Sequence, residues 1–480
     1  MTKVDGSAPH VSVIIPTFNC ARYIGEAVES VLGQTYASCE VIVVDDGSTD
    51  ETRLVLAPYL DRICYMYQEN RGQSVARNHG LRLASAEHIV FLDADDTLLP
   101  EALVKQLSYL EARPLLNLVQ CGTRLVDQRG ETLGEVEPWK LSPTLDLETC
   151  VLDKPVQLGS MMLRREWVER IGGFDPDLRW AEDVDLLLRL ALAGCKMGWL
   201  RQPTVCYRQH DASITQDAVQ EAKYLEIVMD KFRARPEVPK RIRLLEHGCR
   251  FSMIVWSASR MYCTGQTDHI VEWLRRSLRY SRHTLELTII KWFELFAEQQ
   301  AVMGNPAEVD DWMPYFRAAA DSDRVPWDQL QKLFRWWLGV WQFYVEHNSG
   351  QHVQDLAAYR DLRTDELLAL ARFCLTLTPV DRQLEVVPKF WDDVQAAGLV
   401  PVSRAYEVTG LYLRVFGHAS LAREWAMAWC ALRRAVRSSV HPRAVEAWLR
   451  FVWAALGYLI GQHKGDVTPE SCMSNLETFK

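Results

Sequence analysis

The sequence predicts an α/β fold for the first half of the chain and an all-α fold for the second half. In the first half, short apolar runs typical of buried strands alternate with stretches of helical periodicity. From about residue 218 only helical periodicity is found. Because alternating strands and helices favour a parallel sheet, we expect a Rossmann-like N-terminal domain with a mostly parallel sheet over residues 1–217. An all-α domain should follow over residues 218–480.

Three of the predicted strands end in polar turns. Residues 11–15 lead into Pro16-Thr17-Phe18-Asn19, residues 41–44 into Asp45-Asp46-Gly47-Ser48-Thr49-Asp50, and residues 89–92 into Asp93-Ala94-Asp95-Asp96. Since parallel strands end at one edge of a sheet, the three turns should meet where open α/β sheets bind ligands. Ser48 and Asp50 can be explained as helix caps, but capping does not explain Asp46.

Asp93 and Asp95 form a D-x-D pair at the end of the third strand. Carboxylate oxygens are preferred ligands of Mg²⁺, which often binds a substrate phosphate as well. The pair therefore suggests a cation that holds a nucleotide diphosphate, although acidic turns without a metal are also common.

The charge distribution supports a cation at this edge. Residues 1–215 carry 21 Lys and Arg against 31 Asp and Glu, a net charge of −10 within a chain of net charge −9. An acidic domain would repel a nucleotide diphosphate unless a cation lies between the carboxylates and the phosphates. The same acidity argues against nucleic acid as a partner, since nucleic acid requires a basic face.

The remaining elements of the first half follow from periodicity and turn residues. Pro100 suits the first turn of a helix, and Gly130 suits the turn of a hairpin. We predict helices at 21–33, 51–60, 73–85, 100–111 and 181–193, a hairpin over 119–133 and a strand at 197–207.

The second half contains 13 of the 17 tryptophans, which we interpret as helix-packing core. Residues 249–280 and 405–435 each have the pattern helix, glycine turn, helix. This pattern loosely resembles tetratricopeptide-like hairpins. No clean period separates the two segments, so a repeat array and an ordinary helical domain both remain open.

Length and composition set further bounds. A chain of 480 residues is too long for one core and suggests two or three domains. The 12 cysteines contain no C-x-x-C pair, which favours reduced thiols over disulfides or a zinc site. With no signal-peptide pattern and no apolar stretch of about 18 residues, we expect a cytoplasmic protein, or one peripheral at the inner face of the membrane.

Seven blocks of sequence follow one another along the first half of the chain: PTFN, DDGSTD, ENRGQSVARNHGL, FLDADD, GGFD, AEDVDLLLRL and YRQHDASIT. This ordered set resembles family-2 glycosyltransferases of the GT-A fold. Each block alone is weak, but the ordered set is specific, and it covers residues 10–215. The resemblance implies inverting transfer of a sugar from a nucleotide-diphosphate sugar, UDP-linked, with Mn²⁺ or Mg²⁺ as cofactor. The acceptor would be a glycan, a lipid-linked glycan or a polypeptide.

The resemblance also implies roles for individual residues. Asp95 would bind the metal directly, and Asp93 would contact the metal or the ribose. His210 would be a further metal ligand, and imidazole suits Mn²⁺ better than Mg²⁺. Asp46 would accept a hydrogen bond from the uracil imide. Further donor-binding residues would be Pro16, Thr17, Phe18, Asn19, Arg77, Asn78 and Ala94.

Arg77 admits three interpretations: it contacts a donor phosphate, it positions Asp95, or it forms a surface ion pair. Glu182-Asp183 matches the E-D motif, which makes Asp183 the expected general base, although a carboxylate there would also cap a helix. Asp185 is expected on the helix surface. The acceptor side would include Gly159, Ser160, Trp180 and Glu182.

Two rival functions can be weighed. A sugar nucleotidyltransferase would carry a glycine-rich phosphate loop after its first strand, where this chain has PTFN. A catalytically inactive nucleotide-sugar-binding scaffold would not need the intact acids at Asp46, Asp93, Asp95 and Asp183. We therefore expect an active transferase whose helical half serves acceptor binding, partner binding or assembly.

Overall fold

The computed structural model describes residues 10–36, 38–140, 142, 144–210, 216–303 and 309–325, with positions 327, 328, 330, 331 and 334. Within this part, nine strands form one sheet. They are β1 Val11–Thr17, β2 Cys39–Asp45, β3 Cys64–Tyr67, β4 His88–Phe91, β5 Thr97–Leu98, β6 Leu118–Val126, β7 Thr132–Val136, β8 Met161–Arg164 and β9 Met197–Arg208.

The strand order is β3-β2-β1-β4-β8-β6-β9-β5, with β7 paired to β6. Six of the nine described strands run in one direction, and β5, β7 and β8 run against them. The α/β class predicted from the sequence is confirmed, and so is the hairpin, formed by β6 and β7. Because β1, β2, β4 and β9 share one direction, their carboxyl ends lie at one edge of the sheet.

Helices cover both faces of this sheet. They are α1 Ile24–Leu32, α2 Thr52–Leu56, α3 Gln73–Leu83, α4 Ala102–Glu111, α5 Leu147–Leu152, α6 Arg165–Arg170 and α7 Glu182–Leu192. Val13, Val43 and Val90 pack with α1 and α4 in one core cluster. Ile14 points to the opposite face, where its side chain meets α3 at Gly80. This alternation is the period of two expected of a strand.

The chain beyond residue 217 is helical throughout its described part, as predicted. The helices are α8 Ala218–Ala234, α9 Lys240–Arg243, α10 Glu246–Cys263, α11 Ile270–Ser277, α12 Leu285–Met303 and α13 Val309–Ala320. Trp273, Trp292 and Trp312 are buried, as expected of helix-packing core. The first predicted hairpin exists as α10 and α11, with Gly265 in the turn at φ +75°. The second, over 405–435, lies outside the described residues, so a tetratricopeptide-like array is not confirmed.

The helices after residue 217 are not detached from the sheet. Helix α7 packs against α8, and residues Met1–Leu338 form one compact unit. A second compact unit comprises Gly339–Lys480, which lies outside the described residues. The domain boundary at residue 217 therefore coincides with a change of secondary structure and otherwise stays a prediction.

Two expectations drawn from composition can be compared with the described residues. The nine cysteines among them are all free thiols. In the same part of the chain, every helix is too short or too polar to span a bilayer.

Candidate active site

The first two polar turns are bonded to each other at the carboxyl edge of the sheet. Asn19, which has φ +50°, donates its backbone N–H to Ser48 Oγ at 2.9 Å, and its Oδ1 accepts the N–H of Thr49 at 2.8 Å. Phe18, in the same turn, is 49% exposed. Residues 16–19 thus lie beside the DDGSTD turn, as predicted. Their contact with a donor stays a prediction.

Asp46 fixes the loop after β3. Its Oδ1 accepts hydrogen bonds from Gln68 Nε2 at 2.7 Å and from the Arg71 N–H at 2.9 Å. Its Oδ2 accepts the Gly72 N–H at 2.8 Å. A Cβ on Gly47 would lie 2.8 Å from the Asn70 backbone nitrogen, so glycine is required where the loop after β3 passes close to Gly47. The bonds account for the burial of Asp46 and were not foreseen. A uracil imide N–H would have to donate to a lone pair of the Asp46 carboxylate that these three hydrogen bonds do not use.

The third turn carries the D-x-D pair, with Ala94 buried between the two acids. Asp95 Oδ2 lies 2.9 Å from His210 Nε2, which follows β9 at the same edge. The structure therefore brings together Asp95 and His210, 115 positions apart in the sequence. Burial raises the pKa of Asp95, with a further increase from Asp93, and the bond to His210 opposes both.

Arg208 and Tyr23 lie behind this turn, and neither was predicted as a site residue from the sequence. Arg208 donates from Nε to the Asp95 carbonyl at 3.0 Å and from Nη2 to Glu26 Oε2 at 2.6 Å. Its guanidinium lies 4.8 Å from the centre of the Tyr23 ring, which also packs against His210 at 5.0 Å. The signal available was the position of Arg208, two residues before His210 in the block YRQHDASIT.

Asp96, the third acid of the turn, is buried. Its Oδ1 accepts the Arg208 N–H at 2.9 Å. Burial raises its pKa well above the ordinary value, and the neighbouring Asp95 and Asp93 add to the shift. Asp96 therefore ties the D-x-D turn to β9.

Arg77 lies in the interior, only 1% exposed. It donates from Nη2 to Asp93 Oδ1 and from Nη1 to Glu182 Oε1, both at 2.6 Å. Of the three interpretations given above, the surface ion pair is excluded by this burial. Instead, Arg77 joins the D-x-D turn to the E-D motif, and its bond to Asp93 occupies one oxygen of that carboxylate.

The E-D motif begins α7. Ala181 has a left-handed backbone at φ +56°, a strained conformation for a residue with a side chain. Glu182 is buried, whereas Asp183 is only half-buried. Burial raises the pKa of Glu182 to about 7 although Arg77 opposes the shift. Burial also raises the pKa of Asp183 to about 6, opposed by the Val184 N–H and by Arg77. A carboxylate of that pKa suits a general base near neutral pH.

The GGFD turn is anchored by Asn78. The Asn78 amide donates to the Phe174 carbonyl and accepts the Phe174 N–H, both at 2.8 Å. A Cβ on Gly173, which has φ +74°, would lie 2.4 Å from Asn78 Oδ1. Asn78 therefore positions this turn with both its amide atoms.

Three positions singled out in the sequence lie in the protein interior, and for Asp185 this corrects the expected place on the helix surface. A Cβ on Gly159 would lie 2.9 Å from Val205 Cγ2. Ser160 is fully buried and accepts a hydrogen bond from Gln120 Nε2 at 2.9 Å. Packing accounts for Gly159 and Ser160, and their place on the acceptor side stays a prediction. Asp185, expected on the helix surface, is buried in an ion pair with Arg189 at 2.7 Å.

The fit of a divalent cation rests on Asp95 and His210. Neighbouring ligand atoms of an octahedral ion, each about 2.1 Å from the metal, lie about 3.0 Å apart. The 2.9 Å between Asp95 Oδ2 and His210 Nε2 fits two such positions. Among the described residues, no group of three His, Cys, Asp or Glu side chains is arranged to hold a metal. Phosphate and water would therefore have to complete the shell, as they commonly do for Mg²⁺.

Comparison with known proteins finds similarity to glycosyltransferases. The family model "Glycosyl transferase family 2" matches residues 12–172. An uncharacterized glycosyltransferase of Rickettsia typhi is 32% identical over 234 residues, which cover 48% of this chain and 73% of that protein. Chondroitin synthase of Escherichia coli is 29% identical over 227 residues, 46% of this chain and 32% of the synthase. A crystal structure of S. aureus TarS 1-349 with UDP-GlcNAc aligns at TM-score 0.43 and 16% identity, covering 68% of this chain and 92% of that one.

The chain belongs to glycosyl transferase family 2. It is a glycosyltransferase with a GT-A-type α/β fold followed by a helical region. The chain spans about a third of the length of chondroitin synthase.

Proposed function

We propose that the protein is a metal-dependent, inverting glycosyltransferase that moves a sugar from a UDP-linked donor to a glycan. The observation that carries this proposal is the Arg77 bridge. It bonds Asp93 and Glu182 at 2.6 Å each and so connects the acids of the donor turn to the start of the helix that presents Asp183. Donor and acceptor groups must be held side by side for transfer, and this connection supports that arrangement.

In the proposed reaction, Asp183 takes the proton of an acceptor hydroxyl as the oxygen attacks the anomeric carbon. The new glycosidic C–O bond forms while the bond from that carbon to the diphosphate oxygen breaks, and UDP leaves. A single displacement inverts the anomeric configuration. The half-buried position of Asp183 and its raised pKa support the role of base.

Asp95 and His210 are the proposed protein ligands of Mn²⁺ or Mg²⁺, with Asp93 beside them. A bound divalent cation would neutralise charge that develops on the leaving diphosphate. The protein groups would hold the diphosphate at the carboxyl edge of the sheet. Arg208 and Asp96 would keep the turn in place through their bonds to its backbone and to β9.

The uridine preference rests on Asp46, which is proposed to accept the imide N–H of the base. Pro16, Thr17, Phe18, Asn19 and Ala94 would line the same pocket, and Thr17 has a buried hydroxyl with no hydrogen-bond partner in the described structure. The printed name of the Escherichia coli relative, chondroitin synthase, supports a glycan as acceptor.

The helical region is proposed to contribute to acceptor binding, and a protein partner or a peripheral membrane contact through it remains a further proposal. The alternative of an inactive nucleotide-sugar-binding scaffold is not favoured. A scaffold has no need of a base with a raised pKa, and Asp183 has one.

The proposal can be tested by hydrolysis of nucleotide sugars. Purified protein should release the nucleotide from one member of a panel of UDP, GDP and TDP sugars in the presence of Mn²⁺. The activity should stop with a chelator and return when the metal is restored. Release that persists at the full rate in chelator would contradict metal dependence, and no release from any donor would favour the scaffold.

A further inference from the structure

A pair of aromatic rings lies beside the proposed base. Trp180 immediately precedes the left-handed Ala181 and lies three residues before Asp183. Its ring centroid is 5.2 Å from that of Tyr224, with the planes tilted by 42°. Both side chains are half-buried, so part of each ring is accessible. Tyr224 belongs to α8, outside the region that the glycosyltransferase family model matches.

Several bonds hold the Trp180 loop in place. Ser74 Oγ donates to the Leu178 carbonyl at 2.7 Å, and Gln73 Nε2 donates to the Arg179 carbonyl at 3.1 Å. Both donors lie on α3, three and four residues before Arg77. The loop is therefore fixed to the same helix that connects the donor turn to the E-D motif.

Helix α8 is held against the same region. Lys231 donates to Asp175 of the GGFD turn at 2.8 Å, and α7 packs against α8. Tyr224 and Lys231 are seven residues apart, two helical turns, so they lie on one side of α8. The position of Tyr224 beside Trp180 is thus built into the packing between the two helices.

We propose that Trp180 and Tyr224 form a platform for a pyranose ring of the acceptor, so that the nucleophile is a sugar hydroxyl. The inference rests on the proposed function, since it takes Asp183 as the base. An aromatic face packs against the C–H groups of a sugar ring and leaves the hydroxyls at the rim of the ring free for polar partners. Partly accessible aromatic rings that converge with a few polar groups are typical of ligand sites.

The surrounding charges favour a sugar over a lipid. The Lys231–Asp175 ion pair lies two helical turns along α8 from Tyr224, and the acids of the E-D motif follow Trp180 by two and three residues. Such groups bind hydroxyls, whereas an acyl chain would require a continuous apolar groove. A polypeptide acceptor is the alternative that the experiment must separate from the sugar.

The test measures binding independently of catalysis. Saturation-transfer NMR would be recorded with a library of neutral oligosaccharides and, in parallel, a library of Ser- and Thr-containing peptides. Wild type and Tyr224→Phe, which keeps the ring, should bind an oligosaccharide. Affinity should fall by about tenfold in Tyr224→Leu and in Trp180→Leu, the scale of one lost ring contact.

Tyr280→Leu provides the matched control. Tyr280 is a half-buried tyrosine that pairs with the His247 ring at 6.0 Å in another part of the helical region, so its variant should bind like wild type. Circular dichroism would verify that each variant is folded.

Binding of peptides but not oligosaccharides would overturn the proposal. So would equal oligosaccharide affinity in wild type and Tyr224→Leu, or no oligosaccharide binding by the wild type. Failure of the proposed function itself would be recognised separately, as absence of donor hydrolysis in a protein that still binds oligosaccharides through these rings.

Discussion

Replacing Asp183 with asparagine should remove activity while making the fold more stable at neutral pH. Asparagine has nearly the same shape and can still accept the Val184 N–H, but it cannot take a proton. The transfer rate should therefore fall by about 10²-fold or more, the usual scale of general-base catalysis. Nucleotide affinity should remain near the wild-type value, since the nucleotide turns belong to other strands.

The stability change follows from the raised pKa of Asp183, about 6 against an ordinary value of 3.8. A carboxyl group with a raised folded-state pKa favours folding below its unfolded-state pKa and loses that contribution as the pH rises through the folded-state value. At pH 7.5 the wild type therefore carries an unfavourable charge that the variant lacks. The difference of about 2 between the folded-state and ordinary pKa corresponds to at most about 3 kcal/mol in the free energy of unfolding. Near pH 3 the two proteins should be equally stable.

Two assays check this prediction. Denaturant unfolding at pH 7.5 and near pH 3 should show a stabilisation of Asp183→Asn only at the higher pH. Wild-type kcat/KM should fall as the pH drops through about 6, because the base becomes protonated. A variant that transfers at the wild-type rate would exclude Asp183 as the base. A variant less stable than wild type at pH 7.5 would refute the electrostatic reasoning.

The remaining predictions concern the metal, the nucleotide and the buried bridge. Asp95→Ala should lose Mn²⁺ binding in calorimetry, and neither Mn²⁺ nor Mg²⁺ should restore transfer; rescue by either would remove Asp95 from the metal site. UDP or TDP should bind more tightly than GDP, and Asp46→Ala should reduce that preference; equal binding of all three by wild type would refute it. Arg77→Met should lower the free energy of unfolding by about 3–5 kcal/mol because it leaves the buried Glu182 without its ion-pair partner. Arg77→Lys should lose less of the free energy of unfolding. An Arg77→Met variant as stable as wild type would contradict a stabilising role of the Arg77 bridge.

The sequence predicted the elements that periodicity and turn residues specify. Helix α3 was expected at 73–85 and is found at Gln73–Leu83, and β9 was expected at 197–207 and is found at Met197–Arg208. Short strands such as β5 and β8, with two and four residues, were missed. So short a segment is not long enough to show the alternation of apolar and polar residues by which a strand is recognised.

The sequence identified individual residues of the candidate site, but it did not predict the contacts among them. Asp93, Asp95, Asp183 and His210 were named because strand ends and ordered motifs specify them. The Arg77 bridge could not be predicted, since residues separated by about 100 positions meet only through the packing of α3 and α7. The same reason hid Arg208 and Tyr224. A glycine required by core packing, as Gly159 is, has the same appearance in sequence as one required by a ligand.

The stereochemistry of transfer tests the central claim most directly. A proton NMR time course would follow wild type with Mn²⁺ and an α-linked UDP-sugar that it hydrolyses or transfers. A single displacement with Asp183 as base predicts that the first product carries the β configuration, and that Asp183→Asn forms little of it. A first product of α configuration, or β product formed by Asp183→Asn at the wild-type rate, would contradict the account.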